Sequence, residues 1–268
     1  MSDLALSTDL GKKVFFVQPH SVVQKEMVAE LIAQEYDVGL IPKASDALAF
    51  LGRNPDCIAF LNIDDGLSED QWVEFVTKVQ SSPSLKNVRL GIVSYNADPG
   101  LAQKYLMDLM VPCGFIHLSL NLAESTATVL KVLEANEARG RRRYLRVRCS
   151  ANTKLNFRTG NDVVNGQILD ISPVGMSCVL TPDKRWKAHS VFESMQLKLK
   201  ASLCLVTGIV MGSRRDKATR AIVYVVLFDP KMPPLQRDKI RAFLQLEIQT
   251  AIETQLKQIA SEAVASPR

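Results

Sequence analysis

Residues 139–148 read RGRRRYLRVR, with six arginines and no acid. The pattern of the chain changes across this stretch. Before it, short apolar runs alternate with segments of helical period. KVFFV at 13–17 and CIAFLNI at 57–63 are near-continuous apolar runs, as strands covered on both faces require. The spacing predicts strands over 13–17, 38–41, 57–63, 89–94 and 114–118. It predicts helices over 21–35, 44–51, 70–80, 101–109 and about 122–137. Such alternation implies a doubly wound parallel sheet with helices on both faces. After residue 148 the period becomes two, as in QLKLK at 196–200, where Leu197 and Leu199 face one way and Lys198 and Lys200 the other. Strands are expected over 144–157, 163–170, 175–180, 195–200, 203–213 and 221–228, with turns at 159–162 and 213–216, forming a small antiparallel barrel. Pro233-Pro234 then opens a final helix over 235–263. The fold class is therefore α/β plus β, with boundaries at 1–136, 137–232 and 233–268.

Twenty-two residues after Arg148 comes Asp170-Ile171-Ser172-Pro173-Val174-Gly175. Arginine binds anions through a planar fork that makes paired hydrogen bonds to phosphate and stacks on aromatic rings. The second segment adds a carboxylate acceptor, a hydroxyl and a glycine suited to a tight turn. A ligand with both phosphates and purine edges would use both. Net charge is only +5, so the basic character is local and favours a defined anion site over a polycationic surface.

The ordered pair Arg142-x-x-x-Arg146 and Asp170-x-Ser172-x-x-Gly175 resembles the signature of PilZ domains, receptors for the bacterial second messenger cyclic di-GMP. The resemblance covers roughly residues 139–230. It implies that Arg142 and Arg146 hold phosphates and stack on guanine, that Asp170 and Ser172 hydrogen-bond the ligand, and that Gly175 shapes the turn. Arg141, just ahead of the first motif arginine, implies an intercalated pair of ligand molecules. The first 136 residues resemble the response-regulator receiver fold in architecture and depart from it in chemistry. Gln18-Pro19 stands where a receiver carries its metal-binding acidic pair, Asn62 where it carries the phosphate-accepting aspartate, and Ser119 where it carries a lysine. Only the hydroxyl after the fourth strand remains, as Ser94. Without those carboxylates there is neither a metal site nor a nucleophile for phosphoryl transfer. Asp64 and Asp65 are read as an acidic turn, because Asp-Asp-Gly is good turn chemistry.

These readings converge on a non-enzymatic, cytoplasmic cyclic di-GMP receptor. Ordering of its arginine linker by ligand would change the arrangement of the two domains, with the pseudo-receiver docking an unidentified protein. The expected cofactor is none, the ligand being cyclic di-GMP, in two copies if Arg141 acts as implied. The rival is a nucleic-acid-binding regulator that uses the same arginines on phosphates. Aromatics are 6% of the chain, and only Tyr144 is interleaved with the arginines, which disfavours base stacking. Met176 and Cys178 are expected in the barrel core, and Trp186 at its edge. Cys113 and His117 have a spacing a metal could use, but two ligands do not make a site. Five scattered cysteines without a CxxC fit reduced thiols. No apolar run reaches membrane-spanning length, and residues 1–13 do not read as a secretory signal. Leu244, Ile248, Ile252, Leu256 and Ile259 form a stripe on the last helix. The distal half of that helix is offered to the pseudo-receiver or to a second copy of the chain.

Overall fold

A computed structural model describes residues 11–140 and 143–265. Contacts divide the chain into two units, Met1–Arg143 with Ile248–Arg268, and Tyr144–Glu247.

The first unit is a five-stranded parallel sheet of β1 (Lys13–Val17), β2 (Val38–Ile41), β3 (Cys57–Asn62), β4 (Arg89–Ser94) and β5 (Phe115–His117), in the order β2-β1-β3-β4-β5. This is the flavodoxin-like doubly wound order, whose ligand crevice lies beyond the carboxyl ends of the strands. Its helices are α1 (Val28–Ala33), α2 (Ala44–Gly52), α3 (Glu69–Ser81), α4 (Pro99–Gln103) and α5 (Leu122–Ala135). The helix expected over 21–35 contains a wide π turn at Val23–Met27, and that expected over 101–109 contains another at Lys104–Asp108. β3 is buried at every position, which is why its sequence shows no alternation. Phe15 meets Phe50 of α2 edge-on at 5.1 Å, while Phe16, facing the other way, stacks on Phe60 at 5.2 Å. Each such fully buried side chain contributes roughly 1.5–3 kcal/mol. Ser68 caps α3 reciprocally with Gln71.

The second unit begins with β6 (Val147–Arg148). A ring of strands follows: β7 (Lys154–Thr159), β8 (Asp162–Ser172), β9 (Gly175–Thr181), β10 (Val191–Leu199), β11 (Ser202–Arg215) and β12 (Ile222–Phe228). The order is β8-β7-β10-β11-β12-β9, and β9 pairs back onto β8, so the barrel is closed and β6 is added to the outside of β8. Closure leaves no free edge within the ring. Leu155, Phe157, Ile168, Met176, Cys178, Leu197 and Val226 fill the interior. Trp186 packs on Phe192 at 5.0 Å and on Phe157 at 5.9 Å, at the margin of this core.

Two sequence expectations need correction. The strand expected over 144–157 is interrupted: the chain turns at 149–153, where the Thr153 amide donates to the Ser150 carbonyl, so β6 and β7 are separate. The hairpin turn expected at 213–216 lies later, because β11 runs through Arg215. Asp216 makes the turn, its carboxylate accepting from the amides of Ala218 and Thr219.

The last helix, α6 (Pro234–Ala265), begins at the second proline. In the second unit Ile240, Phe243 and Leu244 are buried, and Gln236 Oε1 accepts from the Leu205 amide at 3.1 Å. In the first unit Ile248, Ile252, Leu256 and Ile259 join the core. Ile252 lies so close to β2 that a Cβ at Gly39 would sit 1.9 Å from its Cδ1. Gln249 brackets Leu40, accepting from its amide at 3.1 Å and donating to its carbonyl at 3.2 Å. The open edge of β2 is covered in this way.

Candidate functional site

β8 and β9 form a hairpin whose two central residues are Pro173 and Val174, with Ser172 opposite Gly175, Ile171 opposite Met176 and Asp170 opposite Ser177. This register brings the second sequence segment into one place. The Ser172 hydroxyl, 1% exposed, donates to the Gly175 carbonyl at 3.0 Å and staples the turn. Gly175 does not use the left-handed conformation that a tight turn suggested. Its requirement is space, since a Cβ there would lie 2.5 Å from the Val226 carbonyl oxygen. Both residues are covered, so they shape the turn from within.

Asp170 is the exposed chemistry of the hairpin. One oxygen, Oδ2, accepts from the Ser177 hydroxyl at 2.5 Å. The other, Oδ1, lies 3.2 Å from Arg146 Nη1, an ion pair without an aligned hydrogen bond, and is itself shielded from water. The pairing of Arg148 with Asp170 and of Val147 with Ile171 across β6 and β8 explains how Arg146 arrives there. Two of the motif residues, Arg146 and Asp170, thus meet, with Ser172 and Gly175 just beyond. Arg141 and Arg142 lie outside the described residues. Arg139 places its guanidinium 5.1 Å over the Tyr36 ring, within the first unit.

Ser177 was not singled out from the sequence. The signal was present: once a two-residue turn is placed at Pro173-Val174, a hairpin must set Asp170 opposite Ser177. Burial, with the Asp170 carboxylate adding to it, pushes the Cys178 thiol up to about 12. Cys149 is pushed to about 12 by burial first, then by Glu247 and Asp170. Both thiols stay protonated and serve as packing.

At the carboxyl end of the parallel sheet, the degenerate receiver positions form a hydrogen-bonded cluster. Asn62 donates its amide to the Gln18 carbonyl at 2.7 Å and accepts from the Asp64 amide at 3.1 Å. An amide is not a phosphate-accepting nucleophile. Gln18 is left-handed at φ 53°, and its side chain accepts from the Ala44 amide. Ser119 receives no charged partner; its amide donates to the Ser125 hydroxyl. Asp65 behaves as the turn residue expected, accepting from the Gly66 amide at 2.7 Å. Asp64 does not. Its carboxylate turns inward and accepts from the Tyr95 amide at 2.7 Å and the Ser94 hydroxyl, and pairs with His20 Nε2 at 2.8 Å. It ties together the ends of β3 and β4 and the segment after β1. Among the described residues no three of His, Cys, Asp or Glu are grouped to hold a metal, and no helix is long and apolar enough to cross a membrane.

No curated protein matches the chain. Among solved structures it is similar to the PilZ domain of YcgR from Escherichia coli with c-di-GMP, at 13% identity, covering 45% of this chain and 98% of that one, TM-score 0.34. It is similar to the K. pneumonia MrkH–c-di-GMP complex at 20% identity, covering 45% and 57%, TM-score 0.36. It is also similar to the phosphorylated cyanobacterial phytochrome response regulator RcpA at 21% identity, covering 46% and 92%, TM-score 0.39. The match spans only 51% of the longer YcgR chain. The PilZ domain family matches residues 140–246, a span that holds Arg146, Asp170, Ser172 and Gly175. Residues 140–246 are a PilZ domain, and it follows a receiver-like α/β domain in which Asn62 stands at the place of the phosphate-accepting aspartate.

Proposed function

We propose that the chain is a receptor for cyclic di-GMP, read out without catalysis, with Arg142, Arg146, Asp170 and Ser172 as its ligand-binding side chains and Gly175 as the space that lets the hairpin close. The observation that carries the reading is the Arg146–Asp170 pair. The carboxylate holds the guanidinium beside the hairpin, yet Oδ1 lacks an aligned hydrogen bond. An acceptor left in that condition while shielded from water is costly, and a guanine N–H would satisfy it. Arg146, half-exposed, would then turn its fork to phosphate. Ser172 is occupied by the Gly175 carbonyl, so its role in binding would be to fix the turn.

The six arginines of residues 139–148 include Arg143, where the first unit ends. Ligand contacts to Arg141, Arg142 and Arg146 would therefore act on the junction between the units and change their arrangement, leaving the receiver-like domain to dock a protein. Two ligand molecules per chain would be taken if Arg141 adds its charge to the second. The test is titration of cyclic di-GMP into the wild-type chain and the Arg142→Ala, Arg146→Ala double variant. Each charge-assisted hydrogen bond contributes about 1.5–3 kcal/mol, so affinity should fall by about 100-fold or more. Unchanged affinity would reject this site.

A further inference from the structure

Beside Asp64, the carboxyl end of the parallel sheet opens into a cavity of about 490 Å³, lined by His20, Ile63, Asp64, Glu69, Tyr95, Asn96, Leu101 and Tyr105. This is within the size range of small-molecule sites. Three observations define what would fit. The wall carries two carboxylates, Asp64 and Glu69, and Asp70 and Asp108 lie near enough to Lys104, the ion-pair partner of Glu69, to act on its charge. The remaining wall is aromatic and apolar, with the His20 and Tyr95 rings edge-to-face at 4.8 Å. Finally, Tyr105 is wholly buried at this wall and its hydroxyl has no hydrogen-bond partner. That hydroxyl senses Glu69, whose charge adds to burial in raising the Tyr105 pKa to about 12. Buried hydroxyls are almost always paired, so this one is poised for a group absent from the protein itself.

We propose that this cavity is a binding site for a small organic cation, a guanidinium or alkylammonium group, held by the Tyr105 hydroxyl and the Glu69 carboxylate against the rings of His20 and Tyr95. Acidic walls select positive charge, and aromatic faces attract organic cations that have shed water. A metal ion fits less well, because the Asp64 oxygens already accept from Ser94, Tyr95 and His20. The site is separate from the cyclic di-GMP reading and does not depend on it. The cation can be a free amine or an arginine side chain of another protein, since the chemistry is shared.

The test is calorimetry on the full-length chain with agmatine, with a capped Gly-Gly-Arg-Gly-Gly peptide, and with magnesium chloride alone. Agmatine should bind, and the Tyr105→Phe variant should bind it on the order of tenfold more weakly, the effect of a hydrogen bond to a charged group. Because the hydroxyl is unpartnered, Tyr105→Phe should unfold at the wild-type temperature or above it, which separates loss of binding from loss of fold. Glu69→Gln should weaken binding likewise. Binding of agmatine alone assigns a free amine; equal binding of the peptide assigns an arginine side chain. Absence of binding by both at 10 mM (roughly the weakest affinity of interest), displacement of agmatine by millimolar magnesium, or full affinity in Tyr105→Phe would each overturn the proposal.

Discussion

Restoring an aspartate at position 62 should damage the receiver-like domain rather than repair it. Asn62 is 2% exposed, and its amide nitrogen donates to the Gln18 carbonyl at 2.7 Å. In Asn62→Asp an oxygen replaces that donor, so a buried carboxylate faces a carbonyl. The Asp64 carboxylate, two residues on, adds like-charge repulsion. Losing the hydrogen bond and desolvating an unpaired charge should together cost about 3–5 kcal/mol near neutral pH. The sign of the pH dependence follows from burial, which raises the folded-state pKa of the new acid above its unfolded value of about 3.9. Below that value the acid is protonated in both states and its O–H can donate to Gln18, so the deficit is least. It grows as pH rises toward the folded pKa and is constant beyond it. Urea unfolding at pH 5 and pH 8 checks this, followed by Trp72 fluorescence in a Trp186→Phe background. A variant as stable as its parent at pH 8 would refute the assigned donor role of Asn62.

In the barrel, Ser172→Ala should lower stability by about 1–2 kcal/mol through the unpaired Gly175 carbonyl, and Gly175→Ala by more, since its Cβ would meet backbone at 2.5 Å; thermal melts of both should keep that order. All five cysteines are free, and burial, first among the causes, raises Cys57, Cys149 and Cys178 to about 12 and Cys113 and Cys204 to about 11 from an ordinary 9.0. The folded chain therefore keeps protons that the unfolded chain releases above pH 9, and stability should decline from there upward. Ellman's reagent at pH 8 should react with Cys57 and Cys178 only on unfolding, and prompt native labelling of either would contradict their assigned burial.

Much of the architecture was legible because period and burial agree. Strand β3 reads CIAFLN because both its faces are covered, and β10 alternates at 195–199 because only one is. The broken strand at 149–153 was not legible, since Cys149, Ala151 and Thr153 continue a plausible alternation. What ends the strand is a local turn bond between Ser150 and Thr153 that no period records. The displaced turn at Asp216 has a similar cause: two arginines look like a turn, yet β11 continues through them to pair with Val223 and Ile222. For the site, the motif named Asp170 and Arg146, and the β6–β8 pairing accounts for their meeting. Gly175 was recognised for the wrong reason, because its neighbour Val226 is distant in sequence. The inward turn of Asp64 was also hidden, because it depends on Ser94, Tyr95 and His20 arriving from other strands.

The central claim is that the arginines and the β8–β9 hairpin bind a cyclic dinucleotide rather than phosphate in general. Calorimetric titration of cyclic di-GMP at physiological salt, beside a single-stranded RNA of comparable phosphate content, tests it most directly. The account predicts saturable, micromolar or tighter binding of the cyclic dinucleotide (about −8 kcal/mol or better), and weaker RNA binding that fades steeply as salt rises. No heat with cyclic di-GMP, or RNA binding as tight and with the same salt dependence, would contradict it and assign the arginines to nucleic acid.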